Sequence, residues 1–416
     1  MREREFWKRL WRKGQVPRRK RKPGWWMWIL TVTAAIAAAA VILAVNTAWA
    51  GEERKEDNPL DITDDLFGLE QLDLSEVNRF LENKGGEASM TMEEVMGYLA
   101  RGELKGLLAK VFQTMKQALF GEVSVGGSLM GQVLTLGFLG AVFTNFSTVF
   151  QGSQISETGF FITCLLLFTF LTASLMESMT LAAEVVEDIL EFMKVLMPSY
   201  FLAVAFAGGS VSAVVMYEFT LWIMAVGQWG LGSLILPLIR VYVLIGMVGN
   251  LVKEAFLSKM TLLLEQVTGW GLKTLPGLVL GFHLIQSLIL PYVDSLKQGA
   301  VQKVVAMIPG VGQGASAVTQ LLLGSGVLIK NTMGMAAVVI LMVIIAVPVL
   351  KLVVLMIMYQ CVAAVMEPVC DRRLIECVSI AAKGQKMMVQ AVTAAALMLV
   401  ITVAVVCAGT NVTYYA

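Results

Sequence analysis

The sequence predicts an all-α, polytopic helical membrane protein with a small helical extracytoplasmic region near its N-terminus. Three observations carry that expectation. The chain is 57% hydrophobic with only 15% charged residues, and its mean hydropathy is +0.73, which no water-soluble domain of this length matches. Apolar runs of bilayer length recur from about residue 126 to the end. The charged residues are segregated: a basic start, an acidic stretch over 51–122, and a balanced remainder, so the net charge of +1 hides two opposite excesses.

Residues 1–50 read as a secretory signal peptide. Arg2, Arg4, Lys8, Arg9, Arg12, Lys13 and the run Arg18–Lys22 form the basic region, Trp25–Val45 the apolar core, and Ala48-Trp49-Ala50 the small-residue cleavage signature. Cleavage after Ala50 is the favoured reading. The apolar core also has the roughly 20 residues of a membrane anchor. Its position beside that core makes the basic run an export signal rather than a nucleic-acid patch.

Residues 51–122 form the second unit, polar and acidic, with short helices. Leu74–Leu81 has helical apolar spacing and stops at Lys84-Gly85-Gly86; Thr91 with Glu94 three residues on is a capping-box signature for the next helix. Acidic faces here are solvated surface rather than a metal site.

Residues 123–416 form the polytopic domain, with about six to eight spans of bilayer length. Gly126–Phe150 and Thr158–Met176, joined by a polar turn, predict a helical hairpin. Leu181–Met197 sets Glu184, Glu187, Asp188 and Glu191 on one helical face against Leu181, Val185, Ile189, Phe192 and Leu196 on the other, a helix for a membrane surface or for covering its neighbours. Ser199–Tyr217 is a further apolar run, interrupted by Gly208-Gly209-Ser210. Phe219–Gly249 carries Gly227, Gly230, Gly232, Pro237 and Arg240; it is one kinked helix packed through small residues, the favoured reading, or two half-helices meeting at the glycines. Lys253–Lys273 is amphipathic, with Phe256, Met260, Leu263 and Val267 on one stripe. Thr274–Val293 holds the only histidine, His283, with Gln286 a turn later. Met387–Ala408 is the last span.

The stretch Ala306–Glu367 stands apart. It joins a glycine-rich segment to the most apolar run of the chain, which contains Pro348 and Lys351. If the acidic segment after Met176 is outside and the loop with Arg372, Arg373, Lys383 and Lys386 inside, the four clear spans between them need one more crossing or one fewer. Either Pro309–Ile329 also enters the membrane, making a broken or re-entrant pair joined at Lys330-Asn331, or 219–249 turns back as a re-entrant pair.

Little here points to catalysis. Gly310-Val311-Gly312-Gln313-Gly314 lacks the Lys-Ser/Thr and the preceding strand of a phosphate-binding loop. One histidine restricts acid/base designs, no hydrolase signature occurs, and five scattered cysteines make neither a disulfide framework nor a zinc site. The reading is no enzyme, no cofactor, no metal and no nucleic acid. Ionisable groups inside apolar spans are functional candidates by default, so the candidate pathway or packing residues are Lys351, Pro348, Lys330, Asn331, Gly334, Arg240 and His283. Each has a plainer reading. Lys351 and Arg240 can snorkel to headgroups, with Glu367 as a second, fold-back partner for Lys351; His283 can be a neutral imidazole bonded to a neighbouring helix.

Ile308-Pro309-Gly310, Gly324-Ser325, Leu328–Gly334, Val347–Lys351 and Met366-Glu367-Pro368, placed after a signal peptide and a small acidic region, resemble the stage III sporulation protein AE family of endospore-forming bacteria over most of residues 120–416. The resemblance implies a membrane subunit of a secretion-like channel complex joining mother cell and forespore, permease-like or export-gate in role, in the mother-cell membrane around the forespore. Its implied partners are ring-forming and other membrane proteins of the same operon, an ATPase subunit and a forespore membrane protein. A self-contained secondary transporter and a non-conducting membrane scaffold are the alternatives.

Overall fold

Apolar side chains that recur through every turn, with few glycines or prolines in succession, give long uninterrupted helices. The computed structural model describes residues 74–85, 91–100, 116, 127–143, 154–206, 210–252, 255–306 and 312–409, and no strand occurs among them. The signal-peptide residues Ala48 and Ala50, and the glycine-rich loop at 307–311, lie outside the described residues, as do the side chains of 287–325. The helices are α1 (Ser75–Gly85), α2 (Met92–Ala100), α3 (Gly127–Phe143), α4 (Gln154–Phe206), α5 (Ser210–Trp229), α6 (Leu236–Val252), α7 (Ala255–Ala306), α8 (Gly312–Met366) and α9 (Arg372–Gly409). Among the described residues, four stretches are long and apolar enough to cross a membrane: Thr158–Ala205, Glu218–Asn250, Gly326–Met366 and Arg372–Cys407.

The predicted hairpin is present. Phe143 at the end of α3 faces Gly159 near the start of α4 so closely that a Cβ there would lie 2.7 Å from the ring. Beyond it, α4 does not stop at Met176. The carboxylates of 184–191 occupy one face, and helix propagation needs no break where charge is confined to one side. Glu184, Glu187 and Glu191 are exposed and Val185, Ile189, Phe192 and Leu196 buried, so the two predicted faces hold while the separate surface helix does not. Ser199–Tyr217 is divided where Gly208-Gly209-Ser210 interrupts it: its first part ends α4 at Phe206, and its remainder starts α5 at Ser210.

Phe219–Gly249 neither breaks nor runs as a plain α-helix. Residues Gly230–Ile235 form a π-helical segment in which the Leu236 N–H donates to the Leu231 carbonyl. It lies directly before Pro237, whose ring clashes with a carbonyl four residues back in a regular α-helix; widening that turn relieves the clash. Gly227 and Gly230 face Met398, Val279 and Leu275 closely, as small-residue packing requires.

The amphipathic 253–273 segment and the apolar 274–293 run form one helix, α7. Its predicted stripe points outward: Leu263 and Val267 are exposed, beside Trp270 at 71%, while Leu264, Thr268 and Leu272 face the bundle. With Phe161, Leu165 and Leu166 on α4 and Trp222 and Trp229 on α5, this is an apolar surface suited to lipid rather than water. Likewise α8 is continuous over 55 residues, about 80 Å at 1.5 Å per residue. No re-entrant joint exists at Lys330-Asn331, because two polar residues followed by a helical glycine do not stop a helix that is packed on both sides.

The centre of the bundle is α9, which touches α4, α5, α6, α7 and α8. Of its apolar window 67% is buried, against 44% or less in the other three candidate spans. Asp371 caps it, accepting from the Arg373 N–H at 2.9 Å, and Arg372 pairs with Glu376 at 2.8 Å. The N-terminal helices attach to this trunk. α1 packs on α4 through Phe80–Phe192 stacking at 5.8 Å and a Lys84–Asp188 ion pair of 2.6 Å, and α2 packs on α8. The predicted cap of α2 forms, the Glu94 N–H donating to Thr91 Oγ1 at 3.2 Å.

Candidate functional site

Antiparallel α8 between parallel α4 and α9 brings residues distant in sequence to one level. Tyr200 and Lys330 are completely buried there, and Asn331 and Cys407 nearly so. The Tyr200 hydroxyl and Cys407 Sγ are 2.7 Å apart. Lys330 Nζ donates to the Cys407 carbonyl at 3.5 Å. That carbonyl is in the last turn of α9, whose final carbonyls have no partner within the helix and carry the negative end of its dipole. Lys330 therefore caps the C-terminus of α9 with its charge. Gly334, one turn on, completes the junction: a Cβ there would sit 2.7 Å from Cys407 Sγ and 3.3 Å from the Tyr200 oxygen. Asn331 Oδ1 is buried without a hydrogen bond.

The other predicted residues lie apart from this junction. Lys351 and Pro348 are half-buried on α8, with Lys351 about six turns beyond Lys330. Glu367 is exposed in the turn after α8; sixteen residues of continuous helix separate it from Lys351, about 24 Å, so the fold-back pairing does not occur. Arg240 is exposed and makes no ion pair among the described residues, lining a shallow cleft with Thr172, Met176 and Met388. His283 is fully buried, with Nε2 at 2.9 Å from Thr402 Oγ1. The structure thus unites Lys330, Asn331 and Gly334 and leaves Lys351, Pro348, Arg240 and His283 each in its own place.

Sequence reasoning missed Tyr200 and Cys407, and also a ladder of polar contacts along α9. Gln385 Nε2 donates to the Leu352 carbonyl at 3.3 Å and Gln228 Nε2 to the Ala395 carbonyl at 3.4 Å. On the neighbouring helices the Tyr359 hydroxyl donates to Ser174 Oγ at 2.6 Å. The available signal was polar side chains inside apolar runs, Gln228 and Thr402 above all, which turn toward a bundle interior rather than lipid; Gln385, between Lys383 and Lys386, gave none. Among the described residues no group of three or more metal-ligating side chains occurs.

A continuous helical trunk with apolar outer faces and buried interhelical polar contacts defines a helical membrane protein. The profile of the stage III sporulation protein AE family matches residues 90–410, and the chain belongs to that family. It is similar to the stage III sporulation protein AE of Bacillus subtilis (strain 168), with 22% identity over 390 residues, covering 93% of this chain and 98% of that relative. No solved structure matches it.

Proposed function

We propose that this chain is a membrane subunit of the secretion-like channel complex between mother cell and forespore, with a permease-like or export-gate role in forespore development. It sits in the mother-cell membrane around the forespore, with residues 51–122 on the extracytoplasmic side. It has no catalysis of its own and works with the ring-forming and other membrane proteins of its operon, an ATPase subunit and a forespore membrane protein. Family membership supports the link to sporulation.

One structural observation favours a subunit over a self-contained transporter: the candidate ionisable residues are dispersed on unbroken helices and converge on no common cavity. Transporter sites are built where discontinuous helices meet near the bilayer midplane. The two best-formed clefts among the described residues each hold only about 10 Å³ of water-sized space, far below the roughly 300–1,000 Å³ of ordinary solute sites.

The test is a strain lacking the protein, complemented with Lys351→Met. Normal membrane insertion and co-purification with the operon's membrane proteins, together with failed sporulation, support a conducting role. Normal sporulation removes Lys351 from the pathway. Ion-coupled movement of a defined solute into liposomes by the purified chain alone would overturn the subunit reading in favour of the transporter.

A further inference from the structure

His283 is the single histidine of the chain, and its surroundings determine which of its nitrogens carries a proton. Thr402 has one hydroxyl hydrogen, and it is used: Oγ1 donates to the Met398 carbonyl one turn back at 2.7 Å. With its hydrogen there, the same oxygen accepts from the ring 2.9 Å away; in that arrangement Nε2 bears the hydrogen and Nδ1 of the neutral ring is a bare acceptor. That atom is buried and makes no hydrogen bond of good geometry. Neither does Gln286 Oε1, buried on the same helix three residues on, where the spacing puts both side chains on one face. Two orphaned acceptors side by side in an apolar bundle are costly unless a donor lies between them.

We propose that His283 and Gln286 form a proton-binding site, in which a proton taken up at Nδ1 is donated to Gln286 Oε1 while Nε2–H remains anchored on Thr402. One proton satisfies both orphaned atoms and no other bond changes.

Few other charges act on the ring. Between Lys386 and Cys407, α9 has no ionisable residue, and Cys407 stands five residues beyond Thr402. On α5, whose Gly227 meets Val279 one turn before His283, Glu218 is the only charged residue, and the π-helical segment has none. On α6, Tyr242 meets Glu265 of α7, and Arg240 lies two residues from Tyr242; both are toward the opposite end of the bundle from His283. On α7 itself the nearest charges are Lys273 and Asp294, ten and eleven residues away.

Because there is one histidine, ¹⁵N-histidine NMR of the full chain in lipid nanodiscs reads this site alone. The expected result is the Nε2–H tautomer at pH 8 and protonation of Nδ1 on acidification toward pH 4. Gln286→Leu should lower the midpoint by about one pH unit, a tenfold loss of proton affinity. Thr402→Val should release the tautomer into a mixture. A neutral Nδ1–H tautomer at pH 8 would overturn the proposal, since the Thr402 hydroxyl would then donate to Nε2 and Gln286 Oε1 would already be satisfied; so would an unprotonated Nδ1 throughout that range, since it would mean that the Gln286 amide is turned to donate its N–H to a permanently neutral ring. A midpoint unmoved by Gln286→Leu would overturn it equally.

Discussion

Tyr200 of α4 and Cys407 of α9 meet with 2.7 Å between oxygen and sulfur, and the absent side chain of Gly334 makes that contact fit. A Cβ there would press on the sulfur at 2.7 Å. Gly334→Ala should therefore destabilise the protein by about 1–3 kcal/mol, the usual cost of overpacking. Cys407→Ala, which removes the obstructing sulfur, should recover part of that loss. Thermal unfolding of the two single variants and the double variant checks it; strictly additive losses would mean that the contact is not shared.

Lys330 is enclosed by the bundle and points its charge at the end of α9. Lys330→Glu should be far more damaging than Lys330→Met. A carboxylate would be buried against carbonyl oxygens, at a cost of about 3–5 kcal/mol for an unpaired buried charge, whereas methionine fills the volume without one. The check is the fraction of folded protein recovered from membranes in detergent.

The Tyr359 hydroxyl bonds Ser174 across α8 and α4. Tyr359→Phe keeps the ring packing and removes one hydrogen bond, so the expected loss is about 0.5–1.5 kcal/mol. Tyr359→Ala should cost about 3–5 kcal/mol, because it also empties a core position. Denaturant titration in mixed micelles separates the two.

Lys84 joins α1 to α4. Its ammonium is held above its ordinary value, first by the hydrogen bond to Asp188 and further by the charges of Asp188, Glu191 and Glu184. A raised value means that the folded form binds the proton more tightly. The contribution is complete below the unfolded value of 10.5 and disappears as pH rises through the folded one. The pair is partly exposed, so its worth is about 0.2–1 kcal/mol. Melting curves of wild type and Lys84→Met should differ at pH 8 and converge as the pH is raised past the ordinary value of 10.5.

Cys370 lies in the turn between α8 and α9, and partial burial pushes its thiol above the ordinary value of 9.0. Only the thiolate reacts. In a variant with Cys164, Cys361, Cys377 and Cys407 changed to alanine, maleimide should label Cys370 more slowly at pH 7.5 than a free thiol. The rate should still be climbing at pH 9, followed by mass spectrometry.

The sequence makes the elements of this fold legible but hides how far each one runs. The hairpin over 126–176 was readable because polar residues gather in the sequence between two apolar runs. The acidic segment after Met176 looks like a loop to any reading of average hydropathy, yet its carboxylates share one face and α4 continues beneath them. The same cause merged 253–273 with 274–293 into α7. Lys330, Asn331 and Gly334 could be singled out because their polarity and small size interrupt an apolar run. Tyr200 and Cys407 could not, since one is an aromatic residue at the start of an apolar run and the other is a common core residue; only the packing of α4, α8 and α9 puts them together.

The length of α8 has a mechanical meaning. A rod of about 80 Å is far longer than a hydrocarbon layer of about 30 Å is thick, so α8 either lies at a steep tilt in that layer or stands partly beyond it. Pro348, inside the helix, removes one backbone hydrogen bond and is the place where such a rod bends. Since α2 rests on this same rod, the N-terminal helices and the bundle share one element.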